Sequence, residues 1–216
     1  ANAVPEDARA VAVVGPREPF LPEEAESLLR YVRGGGRLVV FVDPDVDHGL
    51  EPLLAGLGLE LAEGVLHSER SHLRTGTPGA DRQVVFTNAY SAHPTVTLAN
   101  RYRSRVASVF DRGGALRRVD EVPDGVEVTF PLRTPPEGFW LDRDEDDEQD
   151  EPEPADERFY PMAAVTIAGG DPEGRAVIVA DGDFITDRWI GNRGNAFVLL
   201  DALNWLVGED RVLGPT

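Results

Sequence analysis

Carboxylates are the groups in this chain best placed to do chemistry. Asp43-Pro44-Asp45-Val46-Asp47-His48-Gly49 sets three acids at every second position, and hard cations such as calcium favour carboxylates clustered in this way. The spacing departs from a calcium loop at two places. His48 stands sixth, where glycine makes the turn, and Leu54 stands twelfth, where a glutamate closes the shell. A solvated turn with aspartate capping fits better than a metal site. A second acidic turn, Asp181-Gly182-Asp183-Phe184, follows the apolar run Ala176–Ala180 directly. Ser91 and His93 are the types that a serine hydrolase joins. Ala89-Tyr90-Ser91-Ala92-His93 only poorly echoes a G-x-S-x-G elbow, however, and neither an orienting third group nor an oxyanion hole can be assigned. His67 and His72 lack the third ligand that zinc requires. The chain has no cysteine, so thiolate nucleophiles, disulfides and cysteine-ligated zinc are excluded. No catalytic residue, metal or cofactor is assigned.

Two further groups suit contact rather than catalysis. Arg101, Arg103 and Arg105 alternate and would line one face of an extended segment, either as a solvated face answering nearby acids or as a strip for an anion or partner. Trp189, in Asp187-Arg188-Trp189-Ile190, is the tryptophan expected on an exposed loop and so at an interface.

The elements that position these groups follow from periodicity. Ala10–Val14 and Arg37–Val42 are short apolar runs that predict buried strands. Between them Leu21-Pro22-Glu23-Glu24 opens a helix with proline and acids in its first turn, and Ala25, Leu28, Leu29 and Val32 form its apolar face. Gly34-Gly35-Gly36 stops that helix, and Gly34 or Gly35 is expected at positive φ. This is a βαβ unit, so its strands should be parallel. Leu50–Leu57 predicts a short helix. Val84–Thr87, Val106–Phe110 and the alternating Gly125–Leu132 predict strands. Met162–Ile167 and Ala176–Ala180 flank the turn Asp171-Pro172-Glu173-Gly174 and should pair as an antiparallel hairpin. Asn192 and Asn195 suit the N-cap of a helix carrying Ala196, Leu199, Leu200, Leu203 and Leu206.

Composition narrows the partners. A chain of 216 residues fits one α/β domain, 1–216. The net charge of −18 opposes nucleic acid and anionic lipid as main partners. Residues 142–157 hold eleven acids and one arginine and predict an acidic, disordered loop. No apolar run approaches the roughly 20 residues that span a bilayer.

Taken in order, Gly15-Pro16, Pro19-Phe20-Leu21, Leu29-x-Tyr31-Val32, Gly34-Gly35-Gly36, Asp43-Pro44, Leu53-Leu54 and Gly56-Leu57 form a pattern. His93-Pro94, Leu132-Arg133-Thr134, Asp181-Gly182-Asp183-Phe184 and Asn192…Asn195…Leu203-Asn204-Trp205 extend it. This pattern resembles the soluble domain of GldG-like auxiliary components of ABC transport systems, named for gliding motility. The resemblance covers nearly the whole chain and is strongest over Ala10–Leu57 and Ala176–Leu206. It implies a flavodoxin-like or class I glutamine-amidotransferase-like fold without the catalytic cysteine. That is a mainly parallel α/β sheet with helices on both faces and a C-terminal antiparallel hairpin. It also implies a periplasmic location at the inner membrane, reached through membrane segments outside this chain, beside ABC permease and ATPase subunits or other membrane-complex proteins. A related domain in an intraflagellar transport protein serves assembly rather than catalysis. The long acidic insertion departs from the pattern.

If the three strands are parallel, Asp43, Asp45, Asp181 and Asp183 gather at their carboxyl ends, where open α/β sheets bind ligands. The expectation is a non-catalytic crevice for a ligand or partner. The competing expectation is a hydrolase or amidotransferase-like enzyme that uses the same carboxylates.

Overall fold

The computed structural model describes residues 4–208 apart from 6, 75, 77–79, 145 and 147–157. The chain opens with β1 (Val11–Val14), α1 (Pro22–Arg33) and β2 (Arg37–Phe41), followed by α2 (Glu51–Gly56), β3 (Leu59–Leu61) and β4 (Val65–Ser68). Next come β5 (Val84–Thr87), β6 (Ala89–Tyr90), α3 (Thr97–Arg101), β7 (Ser108–Asp111) and β8 (Leu116–Arg118). The last third contains β9 (Val126–Arg133), β10 (Phe139–Asp142), β11 (Met162–Ile167), β12 (Gly174–Val179) and α4 (Arg193–Val207).

The central sheet has six strands in the order β1-β2-β12-β11-β9-β6. β1, β2 and β12 are mutually parallel, whereas β11, β9 and β6 join antiparallel. Three two-stranded antiparallel ribbons, β10-β4, β3-β8 and β5-β7, complete the strands. This corrects the expectation of a mainly parallel, flavodoxin-like or class I glutamine-amidotransferase-like sheet layered by helices. The sheet is mixed and strands dominate the described residues. The reason lies in the connections: a parallel neighbour needs a long crossover, usually a helix. Only α1 and α4, of 12 and 15 residues, have that length, while α2 and α3 have 6 and 5. Between β2 and β12 the described chain instead makes strands and turns without a helix of that length, and these strands pair antiparallel. The hairpin of β11 and β12 is present, with Ala163 opposite Ile178.

Strand alternation divides the core in two. Leu38, Val40, Ala176 and Ile178 point toward α1, where Ala25, Leu28 and Val32 meet them. Val39, Phe41, Val177 and Val179 point to the other face, where Val198, Ala202 and Trp205 of α4 lie. The acidic stretch 142–157 lies outside the described residues from 147 onward. Its first member, Asp142, closes β10 and is buried, so the loop reading fails at that residue. Asp142 Oδ2 sits 3.5 Å from His67 Nε2, with both side chains 1% exposed.

α1 ends where Gly35 takes φ +96°, and a Cβ placed there would lie 2.4 Å from the Pro172 carbonyl oxygen of the β11–β12 turn. Gly34, at φ −80°, carries no such penalty. Gly35→Ala is therefore expected to cost about 2 kcal/mol, from the left-handed backbone and the clash together. Gly34→Ala should stay within about 0.5 kcal/mol of the parent. Urea midpoints of the two variants test this, and equal effects would refute it.

Candidate functional site

The rim forms where β1, β2 and β12 end. Gly15 N donates to Phe41 O, and Asp43 Oδ1, just past β2, accepts from Gly182 N at 2.7 Å. Asp181, fully buried, accepts at both oxygens: Oδ1 from Asp183 N at 2.7 Å and Oδ2 from Asp111 N at 2.9 Å. Asp111 closes β7 in a different sheet, so one carboxylate ties the central sheet to the β5-β7 ribbon. Burial holds Asp181 well above the ordinary carboxyl range, with the charges of Asp43 and Asp111 adding to the effect. Asp43 is raised for the same first reason. Asp45 pairs instead with the Arg112 guanidinium at 2.5 Å, and Arg112 also donates to Gln83 Oε1. Arg112 holds φ 58°, the only non-glycine residue at positive φ among those described.

Sequence reasoning placed Asp43, Asp45, Asp181 and Asp183 together, and the structure brings them to one edge. It missed Asp111, Arg112 and Arg188. Asp111 Oδ2 accepts from Trp189 Nε1 at 2.9 Å and pairs with Arg188 at 2.7 Å, and the Arg188 guanidinium lies 4.9 Å over the Trp189 ring. Trp189 is thus half-buried and hydrogen-bonded rather than an exposed anchor. The run Asp111-Arg112-Gly113-Gly114 at a predicted strand end was the available signal.

The three aspartates of the first turn diverge. Asp43 faces Gly182, Asp45 faces Arg112, and Asp47 is exposed. His48 is buried, its pKa lowered by that burial, and its Nδ1 accepts from Leu50 N at 3.0 Å. Behind this turn lies a cleft of about 380 Å³, lined in part by Pro44, His48, Glu51, Leu54 and Glu60. Among the described residues, the carboxylates close enough to share an ion are those of Asp142, Asp144 and Asp146. Ser91 and His93 serve a turn: Ser91 Oγ accepts from His93 N, and His93 Nδ1 meets Thr95 Oγ1 at 2.9 Å. His72 Nδ1 lies 2.8 Å from Ser68 O, which is a local turn contact.

Arg101, Arg103 and Arg105 do not form an extended strip. They occupy the end of α3 and the turn after it, and all three are exposed. Arg105 borders a groove of about 400 Å³ with Leu98, Tyr102, Val106, Arg193 and Phe197. Beneath it Asp201 of α4, 2% exposed, accepts from Leu98 N at 2.6 Å, while its other oxygen has no hydrogen-bond partner. Burial pushes Asp201 up to about 6.

The fold is shared with a solved structure of low identity. The mmIFT52 N-terminal domain is similar at TM-score 0.65 and 14% identity, over 94% of this chain and 78% of that one. A ThuA-like protein from Bacteroides uniformis reaches TM-score 0.44 and 11% identity, over 96% of this chain and 72% of that one. No curated protein sequence matches significantly. Fold and rim describe a mixed α/β domain whose carboxyl edge is closed by its own carboxylates. The chain belongs to the family described as an ABC-type uncharacterized transport system, matched over residues 1–199, and is an auxiliary component of such a system.

Asp181→Ala orphans two backbone N–H groups and should cost about 3 kcal/mol, against less than about 1 kcal/mol for Asp183→Ala. Urea denaturation distinguishes these, and small equal effects would remove the structural role. For Asp201 the folded pKa lies above the value near 3.9 of an unfolded chain. Its contribution to stability is full below about pH 4 and is lost as pH rises through about 6. Asp201→Asn should flatten that fall by on the order of 1 kcal/mol. Melting curves across this range, parent against variant, check it, and unchanged slopes would contradict it.

Proposed function

We propose that this chain is the non-catalytic contact domain of a GldG-like, gliding-motility type auxiliary subunit. It would stand at the periplasmic face of the inner membrane, held by segments outside this chain, beside an ABC permease and its ATPase. Family membership supports the transport setting. The non-catalytic half rests on one observation above all: both oxygens of the buried Asp181 are engaged by backbone N–H groups. A hydrolase or amidotransferase-like enzyme working through these carboxylates needs an oxygen that faces substrate. Asp43 is likewise turned inward onto Gly182, and Asp45 is held by Arg112. What remains outward at the rim, the edges of Asp45 and Asp183, would accept hydrogen bonds from a cationic or hydroxyl-bearing partner group. No helix among the described residues is long and apolar enough to cross a membrane.

The test uses the full-length protein co-expressed with an ABC permease and its ATPase from the same organism. Affinity capture through this domain is expected to retrieve the permease, and an alkaline phosphatase fused at the domain should be active. Retrieval of neither subunit, or a phosphatase that is silent, would overturn the reading. So would hydrolysis of an ester, amide or glycoside panel that is lost in Asp43→Asn or Asp183→Asn.

A further inference from the structure

Resting on that reading of a contact domain, we propose that the groove between α3 and α4 docks an acidic amphipathic helix of a partner protein. Three observations converge on it. The first is shape: Tyr102 and Phe197 set their rings 5.8 Å apart within the groove of about 400 Å³. The second is an apolar stripe that continues from it. Phe197, Leu200, Leu203 and Val207 recur at three- and four-residue spacing on α4. Leu200, Leu203 and Val207 are 47%, 40% and 40% exposed, and Tyr102 is 41% exposed. The stripe runs about 15 Å, at the rise of an α-helix, which is long enough for the apolar face of an amphipathic helix to lie along it. Contiguous exposed apolar surface of this kind marks an interaction site.

The third observation is charge. Arg105 and Arg193 are exposed and line the groove, and Arg101 and Arg103 are exposed at the end of α3 and in the turn after it, on a chain whose net charge is −18. Among the described residues none of Arg103, Arg105 and Arg193 stands in an ion pair. Arg101 is countered only at a distance, by the charge of the buried Asp201. A local basic rim beside an apolar stripe selects an acidic amphipathic segment. A short acidic segment meets only this arginine rim, whereas an anionic bilayer or a second copy of this chain would set an extended negative surface against the −18 of the whole molecule.

The probe is a fluorescein-labelled helix of about 14 residues, leucines on one face and glutamates on the other. Its controls are the same helix with lysine for every glutamate, and liposomes of phosphatidylcholine and phosphatidylglycerol. The full chain should bind the glutamate helix, more weakly as salt rises, and should ignore both controls. The exposed double variants Arg105→Glu with Arg193→Glu, and Leu200→Ser with Leu203→Ser, should each weaken binding by about tenfold or more. Equal binding of the two helices, preference for liposomes, or unchanged affinity in either double variant would overturn the proposal. So would self-association abolished by Leu200→Ser with Leu203→Ser. In the permease capture, an arginine double variant that still retrieves the permease as the parent does overturns this site and leaves the proposed function standing. Failure of the parent protein to retrieve it removes the function instead, whatever the peptide does.

Discussion

Backbone N–H groups at the carboxyl edge of the sheet need acceptors, and the rest of the rim depends on where those acceptors come from. At this edge the chain leaves regular pairing at Asp111, Gly182 and Asp183, and each of their N–H groups ends on a carboxylate of Asp43 or Asp181. A buried donor left unpaired costs about as much as a lost hydrogen bond or more, so these acids are fixed by the needs of folding. Burial, with the neighbouring carboxylates adding to it, then raises the pKa of Asp43 and Asp181. Perturbed titration of this kind often marks an active site. Here it follows from burial in a structural joint.

The same joint explains how the strand ends come to be covered by the chain's own loops. In an open parallel sheet, the loops after the strands part at the point where strand order reverses and leave room for a ligand. Here the long excursion between β2 and β12 folds back over that point. Gly114 N donates to Ala180 O at 2.7 Å, and a Cβ on Gly113 would lie 2.9 Å from the same oxygen. Two glycines in succession let the β7–β8 turn press on the end of β12. Arg112, held at φ 58° just before them, sends its side chain across to Asp45. The mixed topology and the closed rim are thus one fact seen at two scales.

How far the sequence disclosed this depends on the range of the interactions. β1, α1, β2, β12 and α4 were legible because each carries its own periodicity, and the ends of the helices are local chemistry. Asn192 accepts from Gly194 N and Asn195 N, and Gly35 supplies positive φ. The gathering of the four aspartates was legible because it needs only strand direction. The antiparallel half was not, since β9 pairs with β6 and β11 by contacts that no local pattern announces. Asp142 was hidden by its neighbours: in composition it opens an acidic run, yet in space it is buried against His67. Arg101, Arg103 and Arg105 would share a face only in an extended segment, and alternation in sequence says nothing once a helix turn intervenes. Asn195 was offered with Asn192 as an N-cap, but Asn192 is the cap, and the Asn195 side chain is buried and bonded to Val109 N and O and to Phe184 O.

α4 separates what folding requires from what it does not. Its inner face, Val198, Ala202, Trp205 and Leu206, is buried in the core, and Arg175 closes over Trp205 with its guanidinium 5.0 Å from the ring. Asn195 and Asp201 add the bonds that hold β7 and α3 to it. Nothing in that inventory calls on Leu200, Leu203 or Val207, which spend their apolar surface in water and contribute little to the core. A stable helix at these outward positions would be served as well by glutamate or lysine. The rim shows the opposite economy for Asp43 and Asp181, whose carboxylates are turned inward onto backbone N–H groups. Asp43 and Asp181 are held by the fold's own N–H groups, whereas the outward aliphatic side chains of α4 and the arginines beside it are left free of any such folding duty.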